Sequence, residues 1–203
     1  SIENAITCCA VLLYLKLDTS AIVERMRTLH AVNMRLEFKK GINNCTILND
    51  SYSADMDSLS IALDFLQQQA KGQKKTVILS DFIGIKESDK AFYTRITTLL
   101  QKHGVNKFIA IGKKKQAVLP AIFSENNYGF THAIFNDTNE FIRHFNSSLF
   151  KDEVILVKGA RVFEFEKIVS LLEQRAHQTI LEINLNAIVN NFKIFQQLLK
   201  PET

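Results

Sequence analysis

The chain has 203 residues, 46% of them apolar, and a formal net charge of +4, enough for one substantial packed domain with parts of others and unlike a disordered polymer. Its lysines are scattered rather than gathered into a stripe interleaved with aromatic residues, which excludes a nucleic-acid surface and suits an anionic small molecule better. The three cysteines, with Cys8 and Cys9 adjacent and Cys45 alone, form neither an even disulfide framework nor a metal-ligand spacing and fit a reducing, cytoplasmic setting; Cys8 and Cys9 are expected inside a helix core.

Taken in chain order, the sequence opens without an initiator methionine, a basic n-region or a cleavage site. The apolar run from Ala5 to Leu15 falls short of the roughly 18 residues a membrane span needs. The chain therefore reads as a piece of a longer one, with no membrane span. Ile2 to Leu15 is expected as a helix and Ser20 to His30 as a second, capped by Asp18, Thr19 or Ser20. A short alternating strand over Met34 to Lys39, a turn at Gly41 to Asn44 and a central strand over Cys45 to Asn49 follow. The polar turn from Asn49 to Ser58 then leads into a helix whose Leu59, Ala62, Leu63 and Leu66 keep helical spacing.

Beyond the loop Lys71 to Lys74, short apolar strands at Thr76 to Leu79, Phe108 to Ile111, Thr131 to Phe135 and Val154 to Val157 alternate with helices at Ser88 to His103, Lys114 to Phe123, Thr138 to Phe145 and Val162 to Arg175. Continuous apolar strands alternating with helices predict an α/β, Rossmann-like, mostly parallel sheet with helices on both faces. A further strand over Thr179 to Asn184 and a helix over Asn186 to Leu199 are expected to begin another domain. Only seven glycines occur, in neither a G-x-x-x-x-G-K-[ST] nor a G-x-G-x-x-G pattern, so a triphosphate would need a phosphate loop from elsewhere.

In an open α/β sheet, ligands bind outside the carboxyl ends of the strands. Three such ends carry polar residues: Asp50 with Ser51 and Tyr52, Asp81, and Lys158 with Arg161. Two carboxylates and two cations on one rim suit phosphate, magnesium and a small amino acid. The alternative is structural: Asp55 or Asp57 caps a helix, Asp50 closes a turn, and Lys158 and Arg161 pair with Glu164 and Glu166. The dispersed histidines have no catalytic assignment, and Lys113-Lys114-Lys115 is expected to be a solvated face.

A resemblance bears on these alternatives. Asn4-Ala5, Arg35-Leu36-Glu37, Asn49-Asp50-Ser51-Tyr52, Leu79-Ser80-Asp81 and Val157-Lys158-Gly159-Ala160-Arg161 occur in the order found in the Mur ligases, and over residues 1 to 176 the chain most resembles those that join D-alanyl-D-alanine to UDP-N-acetylmuramoyl-tripeptide. The resemblance implies that residues 1–33 end the central ATPase domain and that 34–176 form the C-terminal domain, acting with N-terminal and central domains in cis. It implies ATP and Mg2+ as cofactors, with Asn4, Arg35 and Asp50 near the nucleotide. Ser51, Tyr52, Ser53 and Asp55 then lie at the dipeptide, together with Asp81, Lys158 and Arg161.

The family turn D-S-Y-N-A-N-P-x-S reads Asp-Ser-Tyr-Ser-Ala-Asp-Met-Asp-Ser here. Ser80 stands for a usual glycine, Phe92 for a frequent histidine, and Ala160 for the serine of K-G-S-R. Residues 177–203, with Leu181-Glu182-Ile183-Asn184 and Lys200-Pro201-Glu202-Thr203, resemble the first strand and helix of the alanine racemase barrel. That implies a bifunctional cell-wall parent whose racemase would use pyridoxal phosphate, though its lysine has no counterpart here. The implied ligation phosphorylates the tripeptide carboxylate and lets the dipeptide amine attack the acyl phosphate, for which this part alone is expected to be inactive. The rival reading is a non-catalytic nucleotide-binding or interaction module.

Overall fold

The computed structural model describes residues 2–28, 34–85, 87–174 and 185–198. Two helices come first, α1 (Ile2–Tyr14) and α2 (Thr19–Arg27), the second capped by Asp18, whose carboxylate accepts from the Ala21 amide at 3.1 Å. Then follow β1 (Glu37–Lys40), β2 (Thr46–Asp50), α3 (Met56–Ala70), β3 (Lys74–Ser80), α4 (Asp89–Lys102), β4 (Lys107–Ile111), α5 (Lys113–Glu125), β5 (Thr131–Phe135), α6 (Thr138–Arg143), β6 (Glu153–Lys158) and α7 (Glu166–Leu172). The last element is α8 (Leu185–Leu198).

The strands form one six-stranded sheet in the order β1-β2-β6-β3-β4-β5, with β1 antiparallel and the rest parallel. The expected mostly parallel α/β sheet is thus present. The centres of the inner strands β2, β6, β3 and β4 are apolar because both faces are covered there. Leu48, Val77, Leu79, Phe108, Ala110 and Leu156 point toward α3, α4 and α5, whereas Ile47, Ile78, Ile109, Ile111, Ile155 and Val157 point toward α6 and α7. On α3, Leu59, Ala62, Leu63, Leu66 and Ala70 are buried, the stripe that its sequence spacing predicts. Asp55 caps that helix, accepting from the Ser58 amide at 2.8 Å. α4 ends in a Schellman turn, with the Val105 amide donating to the Leu100 carbonyl at 3.1 Å and Gly104 at φ 62°.

Several expectations are corrected. β2 is not central: it lies one strand from the edge, and β6 and β3 take the middle because the chain crosses from β2 over β6 to β3 and returns from β5 to β6. The single helix expected from Val162 splits into a short 3-10 turn at Arg161–Phe163 and α7, since Glu164 is left-handed at φ 50° and breaks the run. Cys8 is exposed and Cys9 half-buried, so neither is a core residue. The strand expected at 179–184 lies outside the described residues.

The two crossover directions put α7 on the opposite face from α3 and α4, so the chain leaves β6 on one side of the sheet and its neighbours β2 and β3 on the other. That divergence opens crevices on either side of the β6 tip. Directly after β6 the backbone passes so close to Phe165 that a Cβ on Gly159 would stand 2.5 Å from its ring. We expect Gly159→Ala to cost about 2 kcal/mol through overpacking, visible as a lower urea midpoint at unchanged m-value.

Candidate functional site

The carboxyl rim is assembled by register. β2 and β6 pair with Asp50 opposite Lys158, and the Lys158 ammonium reaches the Asp50 carboxylate at 2.6 Å and the Ser53 carbonyl at 3.0 Å. Lys158 is 0% exposed, so this pair has little water to screen it. β1 runs the other way, with Glu37 opposite Asn49, and its preceding residues therefore emerge beside the end of β2. That places the Arg35 guanidinium 4.6 Å above the Tyr52 ring, a cation–π contact. The Asn49 amide donates to Glu37 at 3.1 Å and the Ser51 hydroxyl to Asn49 at 2.7 Å. Asp55 remains at the start of α3. Burial pushes its carboxyl up, but the Ser58 hydroxyl and amide outweigh that and hold it below the usual carboxylate range.

At the β3 tip, Asp81 is 7% exposed and turns its carboxylate into the start of α5. It accepts from the Lys114 amide at 3.0 Å, the Lys115 amide at 3.2 Å and the Tyr93 hydroxyl at 3.0 Å. A Cβ on Gly112 would lie 2.1 Å from its carboxyl carbon, so only glycine admits the carboxylate so close. Burial, with the Asp81 charge beside it, keeps the Tyr93 phenol protonated well above its ordinary value. Ser80, buried, donates to the Asp81 carbonyl at 2.9 Å and accepts the Ala160 amide at 2.9 Å, which ties the β3 and β6 tips together.

The rim thus unites Arg35, Asp50, Ser51, Tyr52, Ser53, Lys158 and Arg161, with Asp81 one strand further on and already engaged. Arg161, exposed, approaches the Met34 sulfur at 3.6 Å. Lys158 does not pair with Glu164 or Glu166 as the structural alternative supposed; Glu164 is bound by Lys167. Asn4 lies on α1, which packs on α2. Between the tips is a cleft of about 350 Å³, lined by Asp81, Lys113, Asn136, Asp137, Thr138, Asn139, Val162, Phe163 and Glu164. Sequence reading gave Lys113 only to a solvated face and passed over Asn136, since only the β4 and β5 ends falling beside β3 bring them to the cleft.

The expected solvated lysine run is also corrected. Lys113 and Lys114 are exposed, but Lys115 is 0% exposed, with its ammonium donating to the carbonyls of Leu79, at 2.9 Å, and Ser80. Burial pulls it down to about 7, partly countered by the Asp81 charge. Among the described residues, no group of three His, Cys, Asp or Glu side chains could hold a metal, and no helix is long and apolar enough to cross a membrane.

A mostly parallel six-stranded sheet with helices on both faces defines a Rossmann-like α/β domain. Residues 34–161 match the family described as Mur ligase, glutamate ligase domain. The chain belongs to the Mur ligase family. It is 23% identical over 176 residues to the UDP-N-acetylmuramoyl-tripeptide--D-alanyl-D-alanine ligase of Escherichia coli, covering 86% of this chain and 37% of that protein. With the ligase of the same description from Borreliella burgdorferi it is 27% identical over 177 residues, 84% of this chain and 36% of that one. Among solved structures it is similar in fold to MurF from Acinetobacter baumannii, with a TM-score of 0.67 at 20% identity over 83% of this chain and 37% of that one. It is likewise similar to MurF from Thermotoga maritima in complex with ADP, with a TM-score of 0.57 at 16% identity over 80% and 35% of the two chains. The chain spans little more than a third of the length of these relatives.

The Lys115 placement carries a pH signature. Its ordinary value of 10.5 falls to about 7 on folding, so between these values the unfolded chain binds the extra proton and stability rises with pH. The penalty is complete below about pH 7 and gone above about pH 10.5. Lys115→Met should therefore gain on the native chain by a few kcal/mol, on the order of the shift, at pH 6 relative to pH 10, measured by urea denaturation at both pH values.

Proposed function

We propose that this chain is the C-terminal part of an ATP-dependent ligase that joins D-alanyl-D-alanine to UDP-N-acetylmuramoyl-tripeptide in peptidoglycan synthesis, working in the cytoplasm with N-terminal and central domains in cis. The observation that carries this reading is the buried Asp50–Lys158 pair, 2.6 Å apart, flanked on the same rim by Arg35 and Arg161. Neither guanidinium is in an ion pair among the described residues, so both are available to oxyanions. The names of the curated relatives supply the substrates.

The residues fit a nucleotide contacted from one side. Arg35 would meet phosphate oxygens and is held by Tyr52 rather than by an acid, while Asp50 and Asn4 would complete the contact. When bound, ATP supplies the phosphoryl group that turns the tripeptide carboxylate into an acyl phosphate. Lys158 fixes Asp50 and the Ser53 carbonyl, shaping the turn from Tyr52 to Asp55 that would face the dipeptide. The cleft beyond Asp81 has room for a short peptide, and the exposed Lys113 at its mouth suits the peptide's terminal carboxylate. Positioning and charge neutralisation of this kind account for most of the barrier lowering in such reactions. The described residues do not fit Mg2+: Asp50 and Asp81 both have partners, so the metal would be held by the other domains.

Residues 177–203 we read as the opening of an alanine racemase-like barrel in a bifunctional parent. α8 supports this in presenting Ile188, Val189, Phe192, Ile194 and Phe195 to solvent, an apolar face that a further layer would cover. Pyridoxal phosphate would belong to that second part, and no residue of this chain is assigned to it.

In the full-length ligase, Asp50→Ala should lower kcat/KM by on the order of a hundredfold. Arg161→Ala, on an exposed side chain, should do so with an unchanged melting temperature. Near-wild-type ligation by both would point to a non-catalytic module, and ATP-dependent ligation by these 203 residues alone would refute the division of labour.

A further inference from the structure

Lys115 is a buried cation for which the ligation has no direct use. It sits in the first turn of α5, where the helix dipole disfavours positive charge, and no carboxylate forms an ion pair with it among the described residues. Its Nζ instead faces two main-chain acceptors, the Leu79 and Ser80 carbonyls. The Phe82 and Tyr93 rings close over it with centroids at 5.7 and 5.6 Å. A side chain that loses all its water to bind two carbonyls of a neighbouring strand is an expensive way to fill space, and an apolar residue would do that more cheaply.

What the two carbonyls belong to explains the arrangement. Leu79 pairs in register with Lys158, and Ser80 receives the Ala160 amide on its hydroxyl at 2.9 Å. The same tip is held to β4 by the Asp81 amide on the Ile111 carbonyl at 2.9 Å, and to α4 and α5 through the Asp81 carboxylate. The β3 tip is therefore a junction, and past the end of the β6 ladder at Lys158 the segment Gly159-Ala160-Arg161 is tied to it by the Ser80–Ala160 hydrogen bond. Without Lys115, the Ser80 carbonyl would lose the ammonium that holds it, and the Ser80 peptide would be free to turn toward another donor.

We propose that Lys115 is a positioning residue: by clamping the Leu79 and Ser80 carbonyls it fixes the Ser80 hydroxyl, and through it the Gly159–Ala160 backbone from which Arg161 is presented on the rim. Its importance for ligation rests on the reading above, but the coupling is a property of the domain and is measurable without turnover. The titratable groups around the ammonium are Asp81 from β3, Tyr93 from α4, and Lys113 and Lys114 on its own helix. β4 and β5 carry only Lys107 and His132, both toward the far ends of their strands.

The test is amide hydrogen exchange and pH titration by NMR on this chain and two variants. In Lys115→Met the Ala160 amide should exchange about tenfold faster relative to Ile109 and Ala110 in β4, the size expected from loosening one hydrogen bond. In the native chain the Ser80 and Ala160 amide shifts should follow the titration of the Lys115 side chain, with a midpoint well below that of an ordinary lysine, and in Lys115→Met that dependence should vanish. A uniform rise of all core amides, or an Ala160 shift indifferent to Lys115, overturns the proposal. Should Lys115→Met fail to fold, the native chain and Ser80→Ala decide together: the Ala160 amide shift should follow the Lys115 titration in the native chain and lose that dependence in Ser80→Ala, which cuts the hydrogen bond between them, and a dependence that survives Ser80→Ala would overturn the coupling. Failure here is separate from failure of the ligation reading, which the Asp50 and Arg161 variants address.

Discussion

An ammonium with no water must have partners, and Lys158 is fully buried at the tip of a central strand. Its desolvation is a several-kcal/mol penalty that only well-placed acceptors offset. Parallel pairing of β2 with β6 supplies one of them, Asp50, directly across the ladder, and the turn after β2 supplies the other, the Ser53 carbonyl. A one-residue slip of β6 would turn Lys158 to the other face of the sheet and strand the charge in apolar surroundings. The pair is thus a check on register as much as a feature of the rim, and Arg35, Tyr52 and Arg161 fall where they do because the two strands are locked in that alignment.

The sheet's asymmetry follows from the order of its crossovers. Three long helices cover one face, while the other has α6, α7 and short turns. Phe135, Phe141, Phe145 and Phe150 fill that thinner layer. This arrangement leaves the carboxyl rim accessible from the thin side, where the cleft beyond Asp81 opens between the β4, β5 and β6 ends.

Much of the fold was legible in the sequence because its signals are local. Apolar runs such as Thr76 to Leu79 and Phe108 to Ile111 mark strands buried on both faces, and Leu59, Ala62, Leu63 and Leu66 mark a helix on a sheet. The order of strands was not legible, since β2 and β6 are separated by more than a hundred residues and nothing near Cys45 reveals that β6 will slip between β2 and β3. Within the site, Asp50, Lys158 and Arg161 stood out through strand-end position and family resemblance. Lys115 did not: three lysines in a row at a helix start look like a solvated face, and the carbonyls that claim the third lie some 35 positions upstream. Asp81 read as a ligand-facing acid; in the fold it lines the cleft, and its carboxylate also accepts from the first amides of a helix that begins beyond the next strand, which no local signal announces.

Two departures from the Mur ligase pattern occur at one place. In the motif resemblance, Ser80 stands for a glycine and Ala160 for a serine; here the hydroxyl belongs to residue 80 and meets the backbone of residue 160. A column-by-column comparison would count two unrelated exchanges, yet they touch across a single hydrogen bond. In this chain the side chain at position 80 and the backbone at position 160 therefore make one joint, and the hydroxyl that closes it comes from the β3 side.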